Sequence, residues 1–154
     1  MPQFRTARRV RHSAGDMFDL VADMERYPEF VPLCQSMRVR RRPPGADGVQ
    51  TATAEMRVSY KVMRETFTTH VTLDRPNLRI LVDYLSGPFS RMENRWTFTP
   101  ASETACEVEF FISYEFKSRV LGMLMGAMFD AAFRRFADAF ERRADRVYGR
   151  PDVA

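Results

Sequence analysis

The sequence contains very little of several residues on which whole classes of protein depend. Cysteine occurs only at Cys34 and Cys106, and neither stands in a CxxC or metal-ligand spacing. This scarcity excludes a disulfide-stapled scaffold and a cysteine-based metal site. We expect both thiols to be reduced and half-buried in a reducing compartment. No apolar run approaches the roughly 20 residues that cross a bilayer as a helix.

Motifs for hydrolytic, nucleotide and zinc chemistry are also missing, because no G-x-S-x-G, Walker loop or H-E-x-x-H occurs. The two histidines are His12, near a predicted first strand, and His70, which alternation places on a solvent-facing side. We interpret both as ordinary surface histidines. The predicted inward face also lacks an obvious pair of carboxylates for acid–base work. We therefore expect a protein without catalytic residues, metal or catalytic cofactor.

Arginine, by contrast, is abundant, since all but two of the 24 basic residues are arginine and the net charge is +4. Short clusters stand at Arg5–Arg11, Arg38–Arg42 and Arg142–Arg146, but acidic residues are nearly as many. Phosphates of anionic lipids and of RNA are alternative partners for these clusters, and we expect no DNA binding.

The length and balance of residues indicate one globular domain over residues 1–150. Hydrophobic residues make up 45% of the 154 residues and charged residues 29%, which is the composition of a soluble, ordered protein. The start, MPQFRTARRVRH, carries charge without an apolar core behind it, which is not typical of a secretory signal. We expect a cytoplasmic location, with peripheral contact at the inner face of the cytoplasmic membrane.

The first third of the chain predicts a strand followed by short helices. FRTARRVR is predicted as a strand, and Ser13 with Asp16 forms an S-x-x-D start signal for a helix. Tyr27 precedes Pro28 and is therefore pushed away from helical geometry, so we expect this pair to interrupt the helix. PEFV is predicted as one more helical turn, stopped by Pro32.

From Gln35 to Phe116 the hydrophobic period is two, with regular turn signals at PPGADG, RPN and SGPF. Each segment has one apolar and one polar side, as in antiparallel strands that cover a core on one face. The residues predicted to face inward are Ala54, Met56, Val58, Tyr60, Phe67, Thr69, Val71, Leu73, Met92, Asn94, Trp96, Phe98, Val108, Phe110, Ile112, Tyr114 and Phe116.

After Ser118 the period becomes helical for nearly thirty residues. The apolar stripe is Leu121, Met125, Phe129, Phe133, Phe136, Phe140, Ala144 and Val147. The first turns, VLGMLMGAMF, are apolar on all sides, which favours an adaptable gate, a surface that dips into lipid, or contact with a second copy. The motifs YPEF and SGPF, with Pro32, are predicted to hold exposed aromatic side chains in loops.

This order of elements predicts an α+β fold, with a curved antiparallel sheet of six to seven strands wrapped around the long C-terminal helix. A single helix cannot contact every inward residue of such a sheet. We therefore expect a gap between helix and sheet, lined by Met, Phe, Trp and Tyr side chains as in many ligand cavities.

Five segments together are similar to the bacterial coenzyme Q-binding protein family. They are VADMERYPEFVPLC, ETFTTHV, SGPFSRMENRWTF, CEVEFFISYEF and AFERRADRVYG. That family belongs to the polyketide cyclase/START-like superfamily and includes proteins described as the ribosome association toxin. The resemblance implies a helix-grip fold that binds ubiquinone or a related polyprenyl lipid as a ligand. It also implies a lipid-chaperone role in respiratory electron transfer or quinone biosynthesis.

The resemblance also implies binding residues. Those that match the family motifs are Tyr27, Pro28, Phe30, Pro32, Gly87, Pro88, Phe89, Trp96 and Phe98. Others are added because strand alternation or helical periodicity places them on the inward side. They are Phe67, Tyr114, Phe116, Leu121, Met125, Met128 and Phe129. Leu33 departs from the family pattern, in which tryptophan often precedes the cysteine, and implies a reshaped pocket wall.

Polar groups that face the predicted cavity are candidates to bind a quinone ring. Asn94, Thr69 and the hydroxyls of Tyr60 and Tyr114 carry donors suited to quinone carbonyls. For Asn94 an ordinary structural role near the end of the sheet is an equal alternative.

Two other functions remain open at the level of sequence. One is a protein that binds the ribosome and blocks subunit association through its arginines, an activity that should weaken steeply with salt. Its candidate residues are Arg5, Arg8, Arg9, Arg38, Arg40, Arg41 and Arg42. The other is a cyclase or aromatase, which only analogy with relatives of the fold suggests.

Overall fold

The computed structural model describes residues 3–60 and 63–149. The strands are β1 Gln3–Val10, β2 Cys34–Arg41, β3 Val49–Tyr60, β4 Met63–Asp74, β5 Arg79–Ser86, β6 Phe89–Ser102 and β7 Ala105–Phe116. The helices are α1 Ala14–Ala22, a 3₁₀ helix Met24–Glu29, and α2 Arg119–Tyr148. None of the helices in the described ranges combines the length and the apolar character that crossing a bilayer requires.

The seven strands form one antiparallel sheet in the order β1-β7-β6-β5-β4-β3-β2. This sheet curves around α2, which confirms the predicted α+β architecture. Alternation also holds: Trp96 on β6 stands opposite Ile80 on β5 and Phe110 on β7, and all three side chains are buried. Their neighbours Arg95 and Thr97 face solvent. The period of two in the sequence therefore fixes which side of the sheet builds the core.

Helix α2 spans 30 residues. At its start the side chain of Ser118 accepts a hydrogen bond from the Leu121 amide, and at its end Gly149, with φ 92°, is the C-cap. The buried part of its stripe is Met125, Phe129, Phe133, Phe140 and Ala144. The stripe was predicted to continue to Val147, but that side chain is 53% exposed. The last turn packs beside α1, where the Tyr148 hydroxyl donates to the Asp16 carbonyl, so no strand covers Val147.

Tyr27 and Pro28 do not interrupt a helix, contrary to the prediction. Helix α1 already ends at Ala22, and the pair lies inside the 3₁₀ helix. The Tyr27 carbonyl accepts hydrogen bonds from the amides of Phe30 and Val31, which close the turn without needing the amide that proline lacks. Of the predicted extra turn at PEFV, Pro28 and Glu29 are the last residues of this 3₁₀ helix, and Phe30 and Val31 follow it.

The aromatic side chains beside the loop prolines are not exposed, which corrects a second prediction. Tyr27 and Phe89 are buried. The Tyr27 ring packs edge-on against Phe30 and Phe140, and its hydroxyl donates to the Val21 carbonyl. These aromatics therefore anchor the loops to the core, a contact that composition alone does not reveal.

His12 is not a surface histidine. Its side chain is only 5% exposed, and its Nε2 lies 2.7 Å from Asp145 Oδ1 near the end of α2. The interacting residues are 133 positions apart in sequence, so local pattern could not predict the contact. His70 is half-buried on the outer side of β4, as alternation predicts.

We predict that the turn between β5 and β6 tolerates only glycine at position 87. Gly87 has φ 146°, and a Cβ there would lie 2.5 Å from Phe67 Cβ and 2.9 Å from Phe67 Cα. Gly87→Ala should lower the free energy of unfolding by about 2 kcal/mol or more, because backbone strain adds to the clash. Urea unfolding followed by circular dichroism measures this change.

Gly126→Ala is the matched control for Gly87→Ala. A Cβ on Gly126 meets nothing within 4 Å, and the residue lies inside α2. The substitution should raise the free energy of unfolding by about 0.5–1 kcal/mol, since alanine favours the helix over glycine. Equal effects of the two substitutions would contradict this account of the turn.

Candidate functional site

A cavity of about 100 Å³ lies between the inner face of the sheet, the 3₁₀ helix with its following loop, and α2. Every strand except β1 contributes to its wall. The wall consists of Met24, Tyr27, Val31, Pro32, Leu33, Met37, Ala54, Met56, Val58, Phe67, Thr69, Val71, Ile80, Val82, Phe89, Met92, Asn94, Trp96, Phe110, Ile112, Phe129, Ala132, Phe133, Phe136 and Phe140. The predicted gap between helix and sheet therefore exists.

The wall is almost entirely apolar. Of the residues just named, none carries a charged side chain, and hydroxyl or amide groups come only from Tyr27, Thr69 and Asn94. Water in such a space lacks the hydrogen-bond partners it needs, so cavities of this kind stay dry and accept apolar molecules. The chemistry of the wall therefore favours hydrocarbon over polar metabolites.

All three polar side chains of the wall form hydrogen bonds to the protein backbone, and they differ in how much donor capacity they keep. The Tyr27 hydroxyl donates to Val21, and its burial raises the pKa of the phenol, so the group stays neutral. The Thr69 hydroxyl lies 3.5 Å from the Ala54 carbonyl, a long and weak hydrogen bond. Thr69 therefore keeps some freedom to turn toward a ligand.

Asn94 presents the best-placed donor. It stands on β6 between Val82 on β5 and Ile112 on β7, and its Nδ2 donates to the Phe111 carbonyl at 2.8 Å. The hydrogen bonds found in the described residues use only one of the two amide hydrogens. The other is available to the carbonyl oxygen of a ligand in the cavity.

Of the two remaining predicted donors, Tyr114 is not among the wall residues named above. Tyr114 is buried in an aromatic cluster with Phe89, Phe116 and Phe133, and burial raises the pKa of its phenol. The side chain of Tyr60 lies outside the described residues. Among the predicted anchors whose side chains the structure describes, Asn94 and Thr69 line the cavity.

Four methionines give the wall an adaptable shape. Met24, Met37, Met56 and Met92 come from the 3₁₀ helix and strands β2, β3 and β6. Methionine is unbranched and repacks at low cost. An engineered cavity of about 150 Å³ admits one benzene ring, so the present space of about 100 Å³ holds at most about one small ring or a short branched chain. A longer ligand requires side-chain movement or must extend out of the cavity.

The predicted binding residues separate into three groups. Those in the cavity wall are Tyr27, Pro32, Phe67, Phe89, Asn94, Trp96 and Phe129. Those behind the wall, packed in the core against it, are Phe30, Phe98, Tyr114, Phe116, Leu121, Met125 and Met128. Pro28 is exposed, whereas Gly87 and Pro88 form the tight turn that positions Phe89.

The parts of the wall that β2, β3 and β5 contribute were not among the predicted binding residues. Met37, Ala54, Val58, Ile80 and Val82 line the cavity from these strands. Alternation already indicates that such residues point inward, but it does not distinguish those beside the cavity from those in solid core.

The cysteines play no part in the wall. Cys34 and Cys106 are free and buried more deeply than expected, and burial raises the pKa of each thiol to about 11. Both thiols are therefore protonated and poor nucleophiles at neutral pH. The part of the chain that the structure describes also holds no cluster of three or more histidine, cysteine, aspartate or glutamate residues suited to a metal.

An exposed apolar surface adjoins the cavity where α2 begins. Val120, Met123 and Leu124, which we call the α2 rim, are 64%, 84% and 61% exposed. Their helix neighbours Met125 and Phe129 are buried, and Phe129 is part of the cavity wall. One short stretch of helix therefore connects solvent-exposed hydrocarbon to the interior.

Basic groups and a further apolar side chain surround the α2 rim. Lys117 and Arg119 are exposed beside it, and neither forms an ion pair with a residue in the described ranges. The Lys117 amide donates to the Pro88 carbonyl, which brings the β5–β6 turn to this end of the fold. Leu85, on the same turn side of β5, is also 56% exposed. This end combines apolar and cationic groups.

Comparison with known proteins identifies relatives. Residues 10–141 match the family described as polyketide cyclase / dehydrase and lipid transport. The chain is 35% identical over 148 residues to the ribosome association toxin RatA of Escherichia coli K12, covering 96% of this chain and 90% of that protein.

Two further comparisons agree with this assignment. The chain is 30% identical over 145 residues to the mitochondrial coenzyme Q-binding protein COQ10 homolog B of Xenopus laevis, covering 92% of this chain and 57% of that protein. A START superfamily protein of Mycobacterium smegmatis has a similar fold, with TM-score 0.76 at 20% identity over 94% of this chain and 98% of that one. The resemblance and the START-like fold predicted from sequence are confirmed.

Proposed function

The chain belongs to the polyketide cyclase / dehydrase and lipid transport family, and from this membership we propose that it binds ubiquinone or a related polyprenyl lipid in its cavity. In this role it is a cytoplasmic lipid chaperone that supports respiratory electron transport or quinone biosynthesis. The observation that carries the proposal is the apolar cavity wall, in which none of the described residues has a charged side chain. The coenzyme Q-binding name of a relative at 30% identity supports the choice of ligand.

The energetics of burial are adequate for a prenyl tail. Each buried CH₂ contributes roughly 0.8 kcal/mol, so a five-carbon isoprene unit contributes about 3–4 kcal/mol when it is well enclosed. Ordering of the ligand and imperfect desolvation offset much of this gain. Two or three enclosed units are therefore enough for useful affinity, provided that the methionine-rich wall opens beyond its present volume.

We propose a carrier rather than an enzyme. General acid–base catalysis needs a group that can exchange a proton near neutral pH. Among the described residues of the cavity wall, the only titratable side chain is Tyr27, whose pKa is raised by burial and whose hydroxyl is bonded to the backbone. Such a wall is suited to hold a lipid and to shield it from water.

The first test is the lipid content of the protein itself. Protein purified from a quinone-producing bacterium should yield ubiquinone or another polyprenyl lipid at near-stoichiometric amounts in an organic extract analysed by mass spectrometry. Ala54→Leu places a larger apolar side chain in the cavity wall and should reduce the lipid content severalfold, because it occupies the space of the ligand.

Ala7→Leu is the matched control, since Ala7 lies exposed on the outer side of β1. It should leave the lipid content unchanged. Thermal unfolding of both variants establishes that they are folded. An extract that remains empty after incubation of the wild type with quinone-loaded liposomes would overturn the carrier function.

Asn94 should bind the quinone head through its remaining amide hydrogen. Asn94→Ala should weaken binding of a short-chain quinone by about three- to tenfold, the effect of one hydrogen bond. Binding of a prenyl hydrocarbon of the same length, which has no carbonyl, should change little. Fluorescence quenching of Trp96, which also lines the cavity, reports both affinities. Equal losses for the two ligands would assign Asn94 a structural role instead.

We propose further that the α2 rim inserts into an anionic membrane when the lipid is exchanged. Apolar side chains enter the interface while Lys117 and Arg119 meet lipid phosphates. Met123→Glu should lower binding to phosphatidylglycerol vesicles about tenfold or more, because it removes an exposed apolar side chain whose insertion into the membrane is worth about 1.5–3 kcal/mol. Vesicle co-flotation measures the bound fraction.

Val147→Glu provides the control at the other end of α2. Both positions are exposed and apolar, and they are about 36 Å apart along the helix axis. The same charge change at Val147 should leave vesicle binding unchanged. A similar loss in both variants would mean that net charge, not the α2 rim, governs docking.

A second candidate function is binding to the ribosome, favoured by the name of the Escherichia coli relative at 35% identity. Of the predicted arginines, Arg8 and Arg41 are bound to acidic side chains on α2 and the 3₁₀ helix. Those exposed without an ion pair to a described residue are Arg9, Arg38, Arg40 and Arg42. Co-sedimentation of the protein with ribosomal subunits over a range of salt tests this candidate.

A further inference from the structure

A groove of about 440 Å³ crosses the outer face of the sheet, on the side opposite the lipid cavity. It runs from β1 across β7 and β6 to β5, which is about 14 Å at the usual strand spacing. Its lining is Arg5, Arg79, Leu81, Arg95, Thr97, Glu109 and Phe111. Three guanidinium groups and one carboxylate give the lining a net positive charge.

An aromatic ring occupies the centre of this groove, on a face where alternation predicts polar side chains. Phe111 stands directly opposite Arg5 on β1 and Arg95 on β6. The two guanidinium carbons lie 4.9 Å and 4.6 Å from the centre of its ring. Stacking on an aromatic ring orients a guanidinium and leaves its in-plane N–H groups free for bidentate bonds to phosphate.

The ion pairs of the groove arginines are easily exchanged. Arg5 lies 3.3 Å from Glu109 and Arg95 lies 3.5 Å from Glu93, and all four side chains are well exposed to solvent. Exposed pairs of this kind contribute little stability, so an incoming phosphate displaces them at small cost.

Arg79 is bound more firmly, because its Nε lies 3.0 Å from Asp74 Oδ2. Asp74 also accepts hydrogen bonds from the amide and side chain of Asn77. The carboxylate therefore remains satisfied when the Arg79 fork turns toward the groove. The N–H groups of Arg79 that do not contact Asp74 make it the third arginine donor of the groove, after Arg5 and Arg95, at the β5 end.

From this arrangement we infer that the groove binds the phosphate backbone of single-stranded RNA. Arg5 and Arg95 bind phosphates on the two sides of Phe111, while Phe111 and Leu81 contact bases or sugars along the floor. This combination of cationic groups and an aromatic platform on an open sheet is typical of sequence-tolerant binding to single strands. The inference rests on the second candidate function, since it names the surface that would contact ribosomal RNA.

RNA fits the groove better than a lipid headgroup does. The apolar side chains of the floor, Leu81 and Phe111, are half-buried between arginines. They are therefore less exposed than the α2 rim and less suited to insert into a membrane. The groove also spans four strands, which suits a chain of phosphates rather than one. Because inward and outward residues alternate, RNA contacts and lipid contacts use different side chains of the same strands.

The test is binding of a fluorescently labelled short oligouridine, followed by anisotropy at several salt concentrations. The double variant R5Q/R95Q should bind about tenfold more weakly or worse. The slope of log affinity against log salt should fall by about 1.4, because each phosphate contact on a single strand contributes about 0.7. Both residues are exposed, so the variant should unfold at the temperature of the wild type.

The matched control is R142Q/R146Q, which removes the same charge from exposed positions of α2. It should retain both affinity and slope. Equal weakening in the two double variants, or unchanged binding in R5Q/R95Q, would overturn the groove. Phosphatidylglycerol vesicles provide the other source of phosphate, and loss of vesicle binding in R5Q/R95Q with RNA binding intact would also overturn it.

Co-sedimentation of the same variants with ribosomal subunits separates this inference from the function on which it rests. If wild type and R5Q/R95Q sediment equally with subunits, ribosome binding stands and the groove is wrong. If the wild type binds neither subunits nor oligouridine, both are wrong. If R5Q/R95Q loses subunit binding while the wild type and R142Q/R146Q keep it, the result supports both ribosome binding and the groove as its RNA contact.

Discussion

A single long helix, α2, with only the short α1 and the 3₁₀ helix beside it, has to cover the inner face of a seven-stranded sheet, and the rest of the structure depends on the resulting mismatch of widths. Seven strands at their usual spacing are about 29 Å across, whereas a helix with its side chains is about 10–12 Å wide. Curvature of the sheet reduces the difference but does not remove it. Large aromatic side chains on both elements fill most of the remaining space, and the part left unfilled is the cavity.

The two halves of α2 are held by different forces. Among the described residues, its side-chain polar contacts with other elements come from the second half: Asp138 and Glu141 bind Arg8, Asp145 binds His12, Arg143 binds Glu29, and Tyr148 binds Asp16. The first half packs through apolar contacts such as Phe129 on Phe89 and Phe116. Apolar contacts are non-directional and tolerate sliding better than ion pairs do. The first half of α2, which contains the α2 rim, is therefore the part suited to move and open the cavity.

Local pattern predicted most of the fold. The period of two gave the strands and their inward faces, and the spacing of phenylalanines gave α2 and the side it buries. What pattern missed are contacts made at long range, such as His12 with Asp145 or the burial of Tyr27 against Phe140. The site was predicted less completely, since seven of seventeen proposed residues reach the cavity wall. Whether an inward residue meets a void or solid core depends on how strands and helix curve together, which no single segment encodes.

The two faces of the sheet are coupled through register and separated in chemistry. Trp96 and Asn94 point into the cavity, and Arg95 between them points into the outer groove. A shift of one residue in β6 would exchange these environments, burying a guanidinium and exposing an indole. The cost of that exchange is large on both faces, because an unpaired buried charge and a lost aromatic contact add. The alternation that secures the lipid cavity thus also fixes the positions of the arginines outside it, so both surfaces can be maintained by one pattern of side chains.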